Sequence, residues 1–110
     1  MSVVEVKSSS HHDEVISKNP KVVIFFGSKN CGFCHRMKPV VDDMSKNNRE
    51  VVFAHVETTK IPTDNLEAVP VFVGYRNGTP TGKVRGADVQ QLQTLVRDLY
   101  KLKFKTVLLF

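Results

Sequence analysis

Apolar residues recur along this chain with two periods, and the switches between them mark out the elements. Lys21-Val22-Val23-Ile24-Phe25-Phe26 is a continuous β-branched and aromatic run, the pattern of a strand buried on both faces. Past a short polar turn, Met37, Val40, Val41 and Met44 recur at intervals of three and four, lining one face of a helix from about residue 32 to 47. Pro39 falls inside that helix, where the loss of a backbone hydrogen bond predicts a kink. Asn47-Asn48 ends it, and Val51 to Val56 reads as the next buried strand, parallel to the first through a right-handed crossover.

Ahead of these lie a short candidate strand at Val3, Val4 and Val6 and a short helix carrying Val15 and Ile16. The triplet Ser8-Ser9-Ser10 offers its N-cap, with Ser10 and Asp13 spaced as a variant capping box, and Asn19-Pro20 stops it. Thr58 to Leu66, including Pro62 and Asp64, reads as a loop with one helical turn. Val71 to Tyr75 and Thr81 to Val84 flank Asn77-Gly78, a hairpin signature. After Gly86-Ala87, Asp88 caps a last helix with Gln91 three residues on, and Val89, Leu92, Leu95, Val96, Leu99 and Leu102 form its apolar stripe. The order is an α/β one: a central mixed sheet flanked by helices in a single domain spanning residues 1–110, which is long enough to bury a core.

Composition adds little to this picture. A formal charge of +5 is spread along the chain, with only Lys101, Lys103 and Lys105 spaced as a set and no interleaved aromatics. A solvated basic surface accounts for it better than a nucleic-acid groove. No stretch approaches the roughly 20 apolar residues of a membrane span, and no secretory leader is visible, so the expectation is a cytoplasmic, reducing setting. In such a setting a lone cysteine pair points to catalysis more than to a structural staple.

That pair, Cys31-Gly32-Phe33-Cys34, lies where the strand pattern gives way to the helix pattern. The start of a helix stabilises an anion through its unpaired N–H groups and dipole, and moving a thiol from about pKa 8.5 to about 7 takes only ~2 kcal/mol. Cys34, one turn deeper, is near enough to close a disulfide with Cys31 or to resolve a mixed disulfide on it. The spacing alone is also compatible with metal and haem readings. Cys31 to His35 spells a haem-attachment motif, but Met37 is too close for an axial ligand on the opposite face and the strand-rich pattern is wrong for it. Zinc would take Cys31, Cys34 and His35 with His11 or His12, yet only one cysteine pair exists.

Taken together, the chain resembles the thioredoxin family over nearly its whole length. The likeness rests on the cysteine turn after a hydrophobic strand, on Pro39 five residues past Cys34, on Val69-Pro70 opening the hairpin and on Gly86-Ala87 at the second substrate loop. The resemblance implies a thiol–disulfide oxidoreductase in which Cys31 is the nucleophile and Cys34 resolves the mixed disulfide. It implies a cis Val69-Pro70 bond and client binding along Val69, Pro70, Gly86 and Ala87. Protein disulfides are the implied substrates and a thioredoxin reductase or small thiol the implied reductant, with no bound cofactor beyond the redox-active pair.

The chain also departs from the family. Phe33 stands for the usual proline between the cysteines, which predicts a less reducing protein. Phe25 takes the place of the family's buried acid, and His55 aligns with a lysine often found beside it. His55 or the neighbouring Glu57 is thus a candidate proton acceptor, against the plainer reading of both as ordinary strand residues. Protein disulfide isomerase or oxidase, a glutaredoxin-like enzyme and a redox-silent peptide-binding module are the alternative readings. Residues from about 103 to 110 exceed what the family needs. They are expected to pack on a monomer or to form a dimer contact, with no membrane anchoring.

Overall fold

The computed structural model describes the backbone of residues 3–63, 66 and 68–108, with side chains as far as Lys101. The strands are β1 (Val3–Glu5), β2 (Lys21–Gly27), β3 (Val52–Glu57), β4 (Val71–Arg76) and β5 (Thr79–Arg85). The helices are α1 (Ser9–Lys18), α2 (Gly32–Asn47) and α3 (Val89–Leu108). The strands form one sheet in the order β1-β3-β2-β4-β5. β1, β3 and β2 run parallel, and β4 and β5 are antiparallel, which makes the mixed α/β sheet expected from the pattern.

The sheet separates two apolar layers. Val23, Phe25, Phe53, Phe72 and Val84 meet Met37 and Val41 of α2 and Leu92, Val96 and Leu99 of α3 on one face. Val22, Ile24, Ala54 and Val56 meet Val15 of α1 on the other. This two-sided burial is why β2 and β3 read as unbroken apolar runs. Asn77 and Gly78 both have positive φ, 51° and 83°, which gives the hairpin turn the twist of its strands.

The caps hold one correction. Ser8, in extended conformation, caps α1 by accepting the His11 N–H at 3.1 Å. Ser10 therefore lies within the first turn, and Asp13 pairs with His12 rather than closing a box. His11 takes the reciprocal part, its Nδ1 accepting the Lys7 N–H at 2.9 Å. Asp88 accepts the Gln91 N–H at 3.0 Å as expected. Val89 leaves the apolar stripe: it is exposed at the first position of α3, whereas Leu92, one turn on, is fully buried.

Residues 103–108 continue α3. Asp64 of the expected loop, and the packing expected of the tail, lie outside the described residues.

Candidate active site

β2 ends at Gly27 and α2 begins at Gly32, so the intervening turn delivers Cys31 to the helix start. Cys31 is the N-cap of α2, and its Sγ accepts the Cys34 N–H at 3.1 Å, the bond a capping serine would make. For a thiolate at that position the same N–H and the helix dipole stabilise the charge. Cys31 and Cys34 are joined as a disulfide with Cα atoms 5.2 Å apart. Their exposure differs: Cys31 is half-buried at the rim, whereas Cys34 is 1% exposed beneath it.

The turn is braced from both sides. Glu57 at the end of β3 accepts the Lys29 N–H at 3.0 Å and the Thr59 hydroxyl at 2.6 Å. The Thr59 hydroxyl, followed by the Lys29 N–H, holds this carboxyl below its ordinary value. His35 reaches back to the Lys29 carbonyl, Nε2 to oxygen 2.8 Å. These brace contacts assign Glu57 and His35 to the scaffold of the turn, and the Glu57 contact, 28 residues from Lys29, is one the sequence does not announce.

The second wall comes from the segment before β4. The Val69–Pro70 peptide is cis, and the Val69 carbonyl oxygen lies 3.7 Å from Cys31 Sγ. Gly86, at φ +92°, donates its N–H to the Pro70 carbonyl at 2.8 Å. The structure thus brings Val69, Pro70 and Gly86 together beside the cysteines, with Ala87 exposed next in chain. A depression of about 390 Å³ runs along this wall, lined by Val69, Pro70 and Gly86 with Lys83 and Arg85 at its edge. The larger cavity, about 520 Å³, lies on the α1 face away from the sulfurs.

Phe33 projects outward at 55% exposure, with the Arg36 guanidinium 4.6 Å over its ring. Gly32 is exposed beside it, and Pro39 lies inside α2. Phe25 fills the floor, stacked on Phe72 at 4.9 Å and tilted against His55 at 5.0 Å. His55 is buried, its Nδ1 bonded to Glu5 at 2.9 Å. Glu5 carries no motif signal: only the β1–β3 register pairs it with His55.

The donor set of the zinc reading is not assembled. Cys31, Cys34 and His35 belong to the α2 side, while His11 and His12 sit on α1 across the sheet. Among the described residues no three His, Cys, Asp or Glu side chains cluster as metal ligands.

A family model described as Thioredoxin matches residues 2–99. Thioredoxin 1 of Plasmodium falciparum (isolate 3D7) is 30% identical over 95 residues, covering 83% of this chain and 91% of that protein. Thioredoxin H2-1 of Oryza sativa subsp. japonica is 34% identical over 106 residues, covering 89% and 77%. Among solved structures, the Plasmodium falciparum thioredoxin superposes with a TM-score of 0.81 at 28% identity, covering 86% of this chain and 97% of its own. The Trypanosoma brucei brucei thioredoxin does so at 0.84 and 26%, covering 91% and 92%. With the matched cysteines bonded at the start of α2, the chain belongs to the thioredoxin family and is a protein-disulfide oxidoreductase.

Proposed function

We propose that the protein works as a reductase of disulfides in extended client segments, with Cys31 attacking and Cys34 resolving. The carrying observation is the asymmetry of the pair: one sulfur at the rim on a helix N-cap, the other beneath it. The Cys31 thiolate attacks one client sulfur, the client S–S bond breaks, and its electron pair leaves on the second client sulfur, which takes up a proton. Cys34 then loses its proton and attacks Cys31 Sγ, releasing the remaining client thiolate and closing the disulfide. The client gains two electrons and the cysteine pair loses them.

The client strand lies along Val69 and Pro70, bonding the Val69 backbone, with Gly86 and Ala87 as the far wall. No resident cofactor takes part, since the disulfide itself carries the electrons. A thioredoxin reductase or a small thiol restores the dithiol. The protein acts as a monomer in the cytoplasm, independently of nucleic acid and membranes.

Cys31→Ser abolishes reduction of insulin disulfides, and Cys34→Ser traps clients as mixed disulfides on Cys31. Retained turnover in Cys31→Ser would overturn the assignment. Phe33 in the turn favours the reduced pair, so equilibration with glutathione buffers gives a potential above about −270 mV, and a value at or below that counts against it.

A further inference from the structure

Resolution of the mixed disulfide needs the buried Cys34 to lose its proton, and the side chain beneath it in β2, Phe25, has no group to take it. The titratable ring that reaches this floor comes from β3. A side-chain carbon placed on Gly27 would touch His55 Nε2 at 3.3 Å and Cys34 Cβ at 3.4 Å, with the Phe25 ring edge at 3.2 Å. The imidazole and Cys34 therefore converge on one point over Gly27, a close approach that the missing side chain permits. A proton passing between them would travel by way of water.

The rest of the ring is set for that task. Nδ1 lies 2.9 and 3.0 Å from the two Glu5 oxygens, and a carboxylate only accepts, so Nδ1 carries a hydrogen and the neutral ring keeps its lone pair on Nε2. The imidazole is 10% exposed while Glu5 is 52% exposed, so the pair runs from the floor beneath the cysteines to solvent. A small cavity of about 190 Å³ opens there between β1 and α2.

Other charged groups face the pair without competing for the role. Lys38 and Asp42 of α2 line the same cavity from exposed positions. Glu57 of β3 lies two residues along the strand from His55, but its carboxylate is engaged by Lys29 and Thr59. At this point β2 brings Phe25 and Gly27 and β4 brings Phe72 behind Phe25, none of them titratable.

We infer that His55 is the proton acceptor for Cys34 during resolution, and that Glu5 is the positioning residue that orients its ring and balances the imidazolium. The inference rests on the reading of Cys34 as the resolving thiol. As the Cys34 S–H bond breaks, its proton passes to Nε2. The Cys34 sulfur bonds Cys31 Sγ, and the Cys31–client bond breaks with its electron pair leaving on the client sulfur. The imidazolium returns the proton to solvent past Glu5, or to Cys34 when the pair is reduced again.

Two steps of one assay separate this from the dithiol mechanism itself. Reduced protein mixed in a stopped-flow instrument with one equivalent of dithiobis(nitrobenzoate) releases one coloured thiolate as Cys31 attacks and a second as Cys34 displaces the other. His55→Gln slows the second phase about a hundredfold near neutral pH, the low end of general-base contributions, and leaves the first phase within about twofold. Its second phase also loses the wild-type pH profile and rises in proportion to hydroxide. Glu5→Gln keeps an acceptor for Nδ1–H but removes the counter-charge, and slows the second phase about threefold. A second phase in His55→Gln that matches wild type across the pH range, or that slows in step with the first, overturns the inference. If His55→Gln does not fold, the half-exposed Glu5→Gln decides: an unchanged second phase overturns the relay. A second phase that survives Cys34→Ser overturns the assignment of Cys34, and this inference with it.

Discussion

Phe25 occupies the floor of the active site, and Phe25→Ala measures how much of the fold depends on it. The ring is 2% exposed, stacked on Phe72 at 4.9 Å with planes 21° apart, and packed on His55 at 5.0 Å. Its neighbours are anchored in β3, β4 and α2, so the hole left behind has little room to collapse. Truncating a buried phenylalanine to alanine costs about 3–5 kcal/mol in transfer and cavity terms. A domain of this length has about 5–15 kcal/mol in total, so the variant keeps a folded state with a thin margin. At about 4 °C per kcal/mol for this size, Tm falls by about 12–20 °C. Urea titration of the oxidised forms, so that the disulfide is common to both, should show a lower midpoint at unchanged slope. A loss below about 1.5 kcal/mol, well under the range for a buried ring, would refute the reasoning, because the ring could not then be the packed floor of the site. A changed slope would place the effect in the unfolded state instead.

Other expectations follow from single contacts. Asp88→Ala removes the acceptor of the Gln91 N–H and should cost about 1 kcal/mol, read as a Tm lower by about 4 °C. The Glu57 carboxyl lies below its ordinary value of 4.5 in the folded state, chiefly through the Thr59 hydroxyl. Its contribution to stability is therefore fully present above about pH 4.5 and is lost as pH falls through the lowered folded value. Urea midpoints from pH 6 to 3 should consequently fall less steeply in Glu57→Gln than in wild type. Phe33→Ala removes an exposed aromatic anchor beside Cys31, and kcat/KM for protein disulfides should drop about three- to tenfold while small aromatic disulfides are reduced as before. A uniform loss on both substrates would instead place Phe33 in the chemistry of the turn.

The local features of this protein were written in its sequence. The unbroken run of β2, the periodic face of α2, the turn at Asn77-Gly78 and the cap at Asp88 each depend on residues a few positions apart, and such patterns act wherever the chain goes. The position of Cys31 at the start of α2 is of this kind, since one strand and one helix define it. Where sequence reasoning slipped locally, at Ser10 and Val89, several residues had equal claims and packing chose among them.

The working parts of the site beyond the cysteines belong to the tertiary structure. Cys31 and Val69 are 38 residues apart and Glu5 and His55 are 50 apart, and no local pattern relates them. The strand order places β3 between β1 and β2, and the β1–β3 register sets Glu5 opposite His55. The β2–β3 register sets Phe25 opposite the same histidine and Gly27 two residues further along the same face, beneath Cys34. A side chain in a sheet meets whatever its neighbouring strands carry at that level, so a histidine that reads as an ordinary strand residue becomes part of the floor beneath the sulfurs only once three strands are aligned.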